Sequence, residues 1–562
     1  MTTHAGLPIV PPRGAARSAR RPITTVVVVA AVIVAGALQR WWAAAHPVGT
    51  LTSDGAVIGL MALQLLHHGH VTAYMWGQAY GGSLEAALTT VVFAVAGTGV
   101  SQLVAATAFS SALCSLALWR TGRQIVGEPA AAIGALVFWV WPATFLWRSL
   151  KPGGTYMVGV ALALCAVGAL ARVRNGDDGW RRCGLAGLSC GLALWSSPVS
   201  VELLIPTALW CIPTARRLGR RLLVIAAGAV TGGAPALWFG ATHDWLNLHM
   251  PGSGPGLIAG FPARFGQFFT IEAPIAMGVR VEGSLAWVGG YLGQILACAA
   301  AAALVVTAWT AASGRRTAVS GRRTGASGRR TGVSERRTAG AVNGARCELP
   351  LLALALLPFL YSVNSLANNL GQGRYALFAV PMGALLIGVG IERAGDLARR
   401  RTGPAHGEVA TWLTWTAGVA LACVLGTAGL VAEPGRELVA FPAPDVTMPV
   451  DDSALQRLLA VHDVKDAYAP YWIGYRVMFE TGGSVVVTAY DYDRYPPIAA
   501  AVDASPHPVY LFVAASRTVG SFETWCREHD VGFQAWSLGS FTVLLPSAKV
   551  TPDALPPAVL SG

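Results

Sequence analysis

The sequence predicts a mainly α, polytopic membrane helical bundle of about eleven transmembrane helices. Interfacial helices are expected in its first outer loop, and a small extracytoplasmic α/β domain at its C-terminus. Three observations carry this fold class. Of 562 residues, 54% are hydrophobic and only 12% charged, about half the charge of an ordinary soluble domain. Apolar blocks near the length needed to cross a bilayer recur along the chain. The arginines fall in short clusters between those blocks, which is the pattern membrane topology produces. Together these exclude a soluble enzyme and a disordered or fibrous protein. The net charge of +12 is dispersed among the clusters and forms no basic patch of the kind that binds nucleic acid. Most of the nine cysteines sit inside apolar runs and none forms a CxxC pair, so neither a disulfide framework nor a metal site is expected, and no cofactor.

In chain order, residues 1–22 form a basic N-terminus, with Arg13, Arg17, Arg20 and Arg21 ahead of the first span at 23–44. No small-residue cleavage site follows Gln39-Arg40-Trp41-Trp42, so this span reads as a retained anchor with its N-terminal side cytoplasmic. The other spans run approximately 101–119, 126–147, 154–171, 183–199, 200–213, 222–240, 286–311, 349–366, 375–391 and 409–432, with Pro198 and Glu202 marking a tight turn between two short helices. With eleven spans, Arg120/Arg123, Arg172/Arg174/Arg181/Arg182, Arg216/Arg217/Arg220/Arg221 and Arg393/Arg399/Arg400/Arg401 all fall on the cytoplasmic side. A crossing at 74–97 would invert every cluster after it, so that segment is placed on the outer surface as an interfacial or re-entrant helix.

The membrane domain therefore spans 23–432. Its 313–348 loop repeats SGRRTAV, SGRRTGA, SGRRTGV and SERRTAG, heptads without the apolar seam of a coiled coil; it reads as a disordered basic cytoplasmic loop. The tail, 433–562, changes character. An amphipathic helix is expected at 453–462 and strands at 484–490, 508–515 and 541–545, separated by glycine- and proline-rich turns.

Chemistry concentrates in the first outer loop. From Asp54, the residues Val57, Ile58, Met61 and Leu65 recur at helical spacing, with Gln64, His67 and His68 opposite, as in a helix lying at the interface. Asp54 at its start is either a helix cap, favoured by the dipole, or a catalytic carboxylate. The following Trp76-Gly77-Gln78-Ala79-Tyr80-Gly81-Gly82-Ser83-Leu84-Glu85 offers Gln78, Tyr80, Ser83 and Glu85 as hydrogen-bonding groups beside aromatic faces, the surface a sugar needs; the alternative is a glycine-held turn.

The stretch from Ser53 to Ala86 resembles the first outer loop of bacterial integral-membrane glycosyltransferases of the GT-C superfamily, in particular its family 39-like, protein-mannosyltransferase-related members. Their pattern has Asp-Glu-Ala-Val where this chain has Asp54-Gly55-Ala56-Val57. Gly371-Gln372-Gly373-Arg374-Tyr375 resembles the Arg-Tyr motif that opens a late helix in these enzymes, and Tyr471–Arg476 and Arg494-Tyr495-Pro496 resemble segments of the same subgroup, with no role assigned.

The resemblance implies a hexosyl- or pentosyltransferase in the plasma membrane that takes its sugar from a polyprenyl-phosphate donor at the extracytoplasmic face. The acceptor is a glycan, lipid or protein hydroxyl, and Asp54 is the general base of an inverting displacement. Arg374, with Tyr375, is the first choice to receive the departing phosphate, because a guanidinium pairs with phosphate oxygens. Arg148 and Lys151 in the second outer loop are weaker choices, readable also as snorkelling cations. The 241–285 loop, with His243, Asp244, Trp245, His249, Arg264, Phe268 and Phe269, fits an interfacial lid, and its spacing matches no zinc pattern. The rival functions are a lipid or glycolipid transporter or flippase, and a non-enzymatic envelope assembly protein. Against a transporter, the long spans hold almost no ionisable residues away from their ends, Glu202 excepted.

Overall fold

The computed structural model describes residues 20–46, 50–153, 156–248, 260–282, 285–291, 293–295, 347–363, 373–432, 452–514 and 516–560. The heptad repeats, His249 and most of the expected 286–311 span lie outside the described residues. Cys347 and Glu348, at the end of the expected loop, instead cap and open the next helix.

Six described helices are long and apolar enough to cross a membrane: Thr25–Ala44, Val100–Ile125, Met157–Arg174, Pro198–Leu218, Arg374–Gly403 and His406–Val431. A seventh candidate is the pair Arg221–Gly232 and Ala234–Thr242, bent by 61° at the Gly232-Gly233 break. The protein is a multi-pass membrane protein. Apolar side chains such as Val26, Ile33, Leu223, Trp238 and Leu421 point outward along these helices, as lipid-facing residues do.

Three further expected crossings differ in detail. The 126–147 block is broken: Pro142, which has no N–H to continue a helix, separates Glu128–Val140 from Ala143–Arg148. Trp180–Ser196 ends at the turn Pro198–Ser200, where the expected bend lies. The late block opens as Glu348–Ser362. Small residues let neighbouring helices approach closely. At Gly187, on Trp180–Ser196, a Cβ would lie 2.0 Å from the Ile225 carbonyl oxygen of Arg221–Gly232.

We label three helices that position the site: α1 (Ser53–His68), α2 (Leu84–Ala96) and α3 (Tyr471–Glu480). The loop between α1 and α2 is irregular, with an antiparallel bridge from Tyr74 to Gly82. Helix α2 has 13 residues, about 20 Å at 1.5 Å per residue, too short for a core of about 30 Å.

The tail folds as a five-stranded sheet with helices packed against it. Its strands are β1 (Asp466–Ala469), β2 (Val486–Ala489), β3 (Val509–Val513), β4 (Phe533–Leu538) and β5 (Phe541–Pro546), in the order β2-β1-β3-β5-β4. β1 is parallel to β2 and β3, whereas β5 runs antiparallel to β3 and β4. The expected helix is present as Ser453–Val461, and β2, β3 and β5 lie where strands were expected. β1 and β4 were not foreseen.

The tail and the membrane region share a core. Ala56, Val57, Leu60 and Met61 of α1 bury against Phe93 of α2 and against Tyr471, Tyr475 and Phe479 of α3. Helix α1 is therefore enclosed at nine of its first ten residues, Asp54 excepted, rather than lying with one face free at the interface. Gly59 permits this contact, since a Cβ there would sit 2.4 Å from the Phe479 ring.

Candidate active site

Asp54 is not the cap of α1. Thr52 holds that position, and its hydroxyl accepts from Gly55 N at 3.2 Å. With the cap supplied by Thr52, the Asp54 carboxylate is directed elsewhere, and it meets the C-terminal tail. Its Oδ1 accepts a short hydrogen bond from the Tyr471 hydroxyl and a second, at 2.7 Å, from Arg494 Nη2. The Asp54 side chain is 36% exposed, against 5% for Arg494, and among the described residues its Oδ2 takes no hydrogen bond. One carboxylate oxygen is thus fixed and the other is open to a substrate.

The Arg494 guanidinium is held from several sides. Nε and Nη2 donate to the Tyr471 oxygen at 3.1 and 2.7 Å, and Nη1 to the Trp76 carbonyl at 3.3 Å. With its amide oxygen turned toward Arg494, Gln78 accepts from Nη1 at 2.6 Å. The Arg494 backbone N–H donates to the Tyr475 hydroxyl at 2.8 Å. Burial opposes the charge on Arg494, but Asp54 and the phenols of Tyr471 and Tyr492 outweigh it and raise its pKa. Burial, reinforced by Asp54, also raises the Tyr471 phenol, which stays protonated and donates to Asp54.

The loop between α1 and α2 is shaped around this arginine. Gly77 has φ 68°, and a Cβ there would lie 2.7 Å from Arg494 Cδ and 2.9 Å from its Cα. The Gly77 carbonyl accepts from the Tyr492 hydroxyl at 3.0 Å, and Trp76 stacks on Tyr495 with centroids 4.1 Å apart.

A second cluster adjoins Asp54. Tyr80 lies within electrostatic range of Tyr156, Arg374, Tyr375 and Asp54, and burial raises its phenol pKa to about 12. Gly373, at φ 60°, sets the sharp entry to the 3-10 turn Arg374–Ala379. Arg374 donates to Tyr156 and Tyr375 and lies 4.9 Å from the Tyr375 ring centroid, while its buried Nε has no partner. Asp54, Gln78, Tyr80, Arg374 and Tyr375 are therefore brought into one region.

The remaining expected site residues are placed otherwise. Glu85 is buried and accepts from Thr107 Oγ1 at 2.9 Å and Gly153 N at 3.4 Å, tying α2 to the next helix and to the 149–153 loop. Ser83 precedes α2, and its N–H and carbonyl bond to Ala73 and Ala87. Arg148 pairs with Glu282 and lies 4.3 Å from the Trp147 ring centroid. Lys151 is buried and donates to the Thr50 carbonyl at 2.5 Å. The 148–153 segment is thereby tied to Glu282 on one side and to Thr50 on the other.

No family model and no curated protein matches the sequence. Solved structures do. ArnT from Cupriavidus metallidurans in the apo state superposes with a TM-score of 0.56 at 11% identity, covering 93% of this chain and 98% of ArnT. The same enzyme bound to undecaprenyl phosphate gives 0.56 at 12% identity, covering 93% and 97%. The chain has the fold of ArnT. An oligosaccharyltransferase from Archaeoglobus fulgidus gives a TM-score of 0.46 at 14% identity, covering 92% of this chain and 72% of its own.

This is the fold that the stretch from Ser53 to Ala86 led us to expect, and that stretch and the tail lie side by side. Tyr471 and Arg494 belong to the two tail segments whose likeness to the family carried no role. Their signal was compositional: tyrosines interleaved with charged residues from Asp491 to Tyr495.

Proposed function

We propose that the protein is a membrane glycosyltransferase that moves a sugar from a polyprenyl-phosphate donor to an acceptor hydroxyl on the extracytoplasmic side, with inversion. The observation that carries this reading is the state of Asp54: a carboxylate with one oxygen held and the other open, beside a buried arginine, in the fold of ArnT. That ArnT binds undecaprenyl phosphate on the same fold supports a lipid-phosphate carrier.

In the reaction, Asp54 Oδ2 takes the proton of the acceptor hydroxyl as its oxygen attacks the anomeric carbon. The bond from that carbon to the phosphate oxygen breaks, and the polyprenyl phosphate leaves with the electron pair. Arg374 faces the phosphate, since its buried Nε still has a hydrogen to donate. Tyr80, within electrostatic range of both Asp54 and Arg374, contacts the sugar together with Gln78 and Tyr375. The lipid tail requires the site to sit at the membrane–water boundary. The N-terminus is accordingly cytoplasmic and the tail domain extracytoplasmic.

The test is Asp54→Asn, which keeps the size of the side chain and removes the base. Sugar transfer from polyprenyl-phosphate donors in membrane vesicles is expected to fall by about 10²- to 10⁴-fold, the usual contribution of a general base. Transfer at the wild-type rate would remove Asp54 from that role.

A further inference from the structure

We infer that Arg494 and Tyr471 are positioning residues for the base, so that the C-terminal domain sets the geometry of the transfer step; this rests on the reading of Asp54 as base. Both donors converge on Asp54 Oδ1 and none reaches Oδ2 among the described residues. A free aspartate rotates about two bonds and exchanges its oxygens. Here the pair fixes both torsions and presents one oxygen.

Adhesion between the domains does not explain the arrangement. The apolar contacts of Ala56, Val57 and Met61 with Tyr475 and Phe479, and the stack of Trp76 on Tyr495, already join them. A buried ion pair is a poor adhesive, because desolvation of the charges offsets much of their attraction. The arginine is moreover over-determined. Trp76, Gln78 and Tyr471 take its N–H groups, Tyr475 takes its backbone N–H, and glycine at 77 leaves room for it. Such a network suits a group that must hold a reacting partner in place, since a misplacement of about 1 Å costs on the order of 10²-fold in rate.

The full chain is reconstituted in proteoliposomes with a panel of undecaprenyl-phosphate hexoses and pentoses and a membrane lipid extract as acceptor, reading release of undecaprenyl phosphate. Arg494→Ala, Arg494→Lys and Tyr471→Phe are compared in the wild-type and Asp54→Asn backgrounds, in a double-mutant cycle. In the wild-type background we expect kcat to fall about 10- to 100-fold for Arg494→Ala, with donor KM within about twofold. Arg494→Lys and Tyr471→Phe fall less. Added guanidinium restores part of the Arg494→Ala loss, and urea, of similar shape but uncharged, does not.

In the Asp54→Asn background the same substitutions cause no further loss. An equal loss in that background, a loss seen only in KM, or equal rescue by urea overturns the positioning role while leaving the base intact. Wild-type turnover by Asp54→Asn alone removes the base itself. Should Arg494→Ala fail to fold, Tyr471→Phe, which keeps the ring packing, decides by the same cycle.

Discussion

Gly55 stands where the family pattern has a second acidic residue, and its surroundings say why. A Cβ there would meet Leu51 Cδ1 at 2.8 Å and Pro152 Cδ at 3.3 Å, so Leu51 and Pro152 occupy the space a side chain would need. Asp54 was legible because its loop carries a dense local pattern. Its partner Arg494 was not, because the two are 440 residues apart and nothing in local periodicity encodes such a pairing. The same limit explains Arg148 and Lys151: a cation in an outer loop looks free until Glu282 and Thr50 are seen beside it. Arg374 differs in keeping an unmatched buried donor. Replacing it with glutamine is expected to lower kcat/KM for the lipid-linked donor by about 10²- to 10³-fold, the range for losing one preorganised donor to developing negative charge. Steady-state kinetics on the variant in proteoliposomes reads this, and an unchanged value would move the phosphate elsewhere.

At the level of elements, long apolar helices and the amphipathic Ser453–Val461 were readable, and short buried strands were not. β1 is four residues long and buried at three of them, so it shows none of the alternation that marks a half-exposed strand. Helix α3 was hidden for another reason: its outer face is covered by α1, so its exposure does not follow its hydrophobicity. Its last residue, Glu480, has a consequence for stability. Glu480 pairs with Arg476 Nε at 3.1 Å and accepts from Gln456 at 3.0 Å, and Asp452 meets the same Arg476 nitrogen at 3.4 Å. Burial, followed by its hydrogen bond with Asp452, pushes its pKa up from 4.5 to about 8, against the pull of Arg476. The folded state therefore holds a proton there that the unfolded chain releases. The associated stability is fully present below about 4.5 and is lost as pH rises through about 8. Glu480→Gln keeps a neutral side chain at every pH, so its thermal midpoint should decline less between these values than that of the wild type. Parallel declines in detergent solution would show that Glu480 carries no proton in the fold.

For the whole molecule, the contact between Asp54 and Arg494 constrains topology independently of charge counting. Two residues that touch lie on the same side of the bilayer, so the chain crosses an even number of times between 54 and 494. Ten of the eleven expected spans lie in that interval, which satisfies the condition, and an added crossing by α2 would break it. The opposite face is tied together as well. Arg174, at the end of one helix, donates to the Trp210 carbonyl at 2.6 Å and pairs with Glu348, which opens another, while Arg221 pairs with Asp178 at 2.8 Å. These are the arginine clusters assigned to the cytoplasm, now gathered by contacts that no charge rule supplies. Single cysteines introduced at the exposed positions Val71, Val95 and Val461 should react with an impermeant maleimide in intact cells, above the background of the native thiols. Arg220→Cys should react only after permeabilisation. Helix α2 decides the matter, since Val71 precedes it and Val95 lies in its last turn. If they label from opposite sides, α2 crosses the membrane, the parity fails, and Asp54 and the tail could not meet in the cell as they do here.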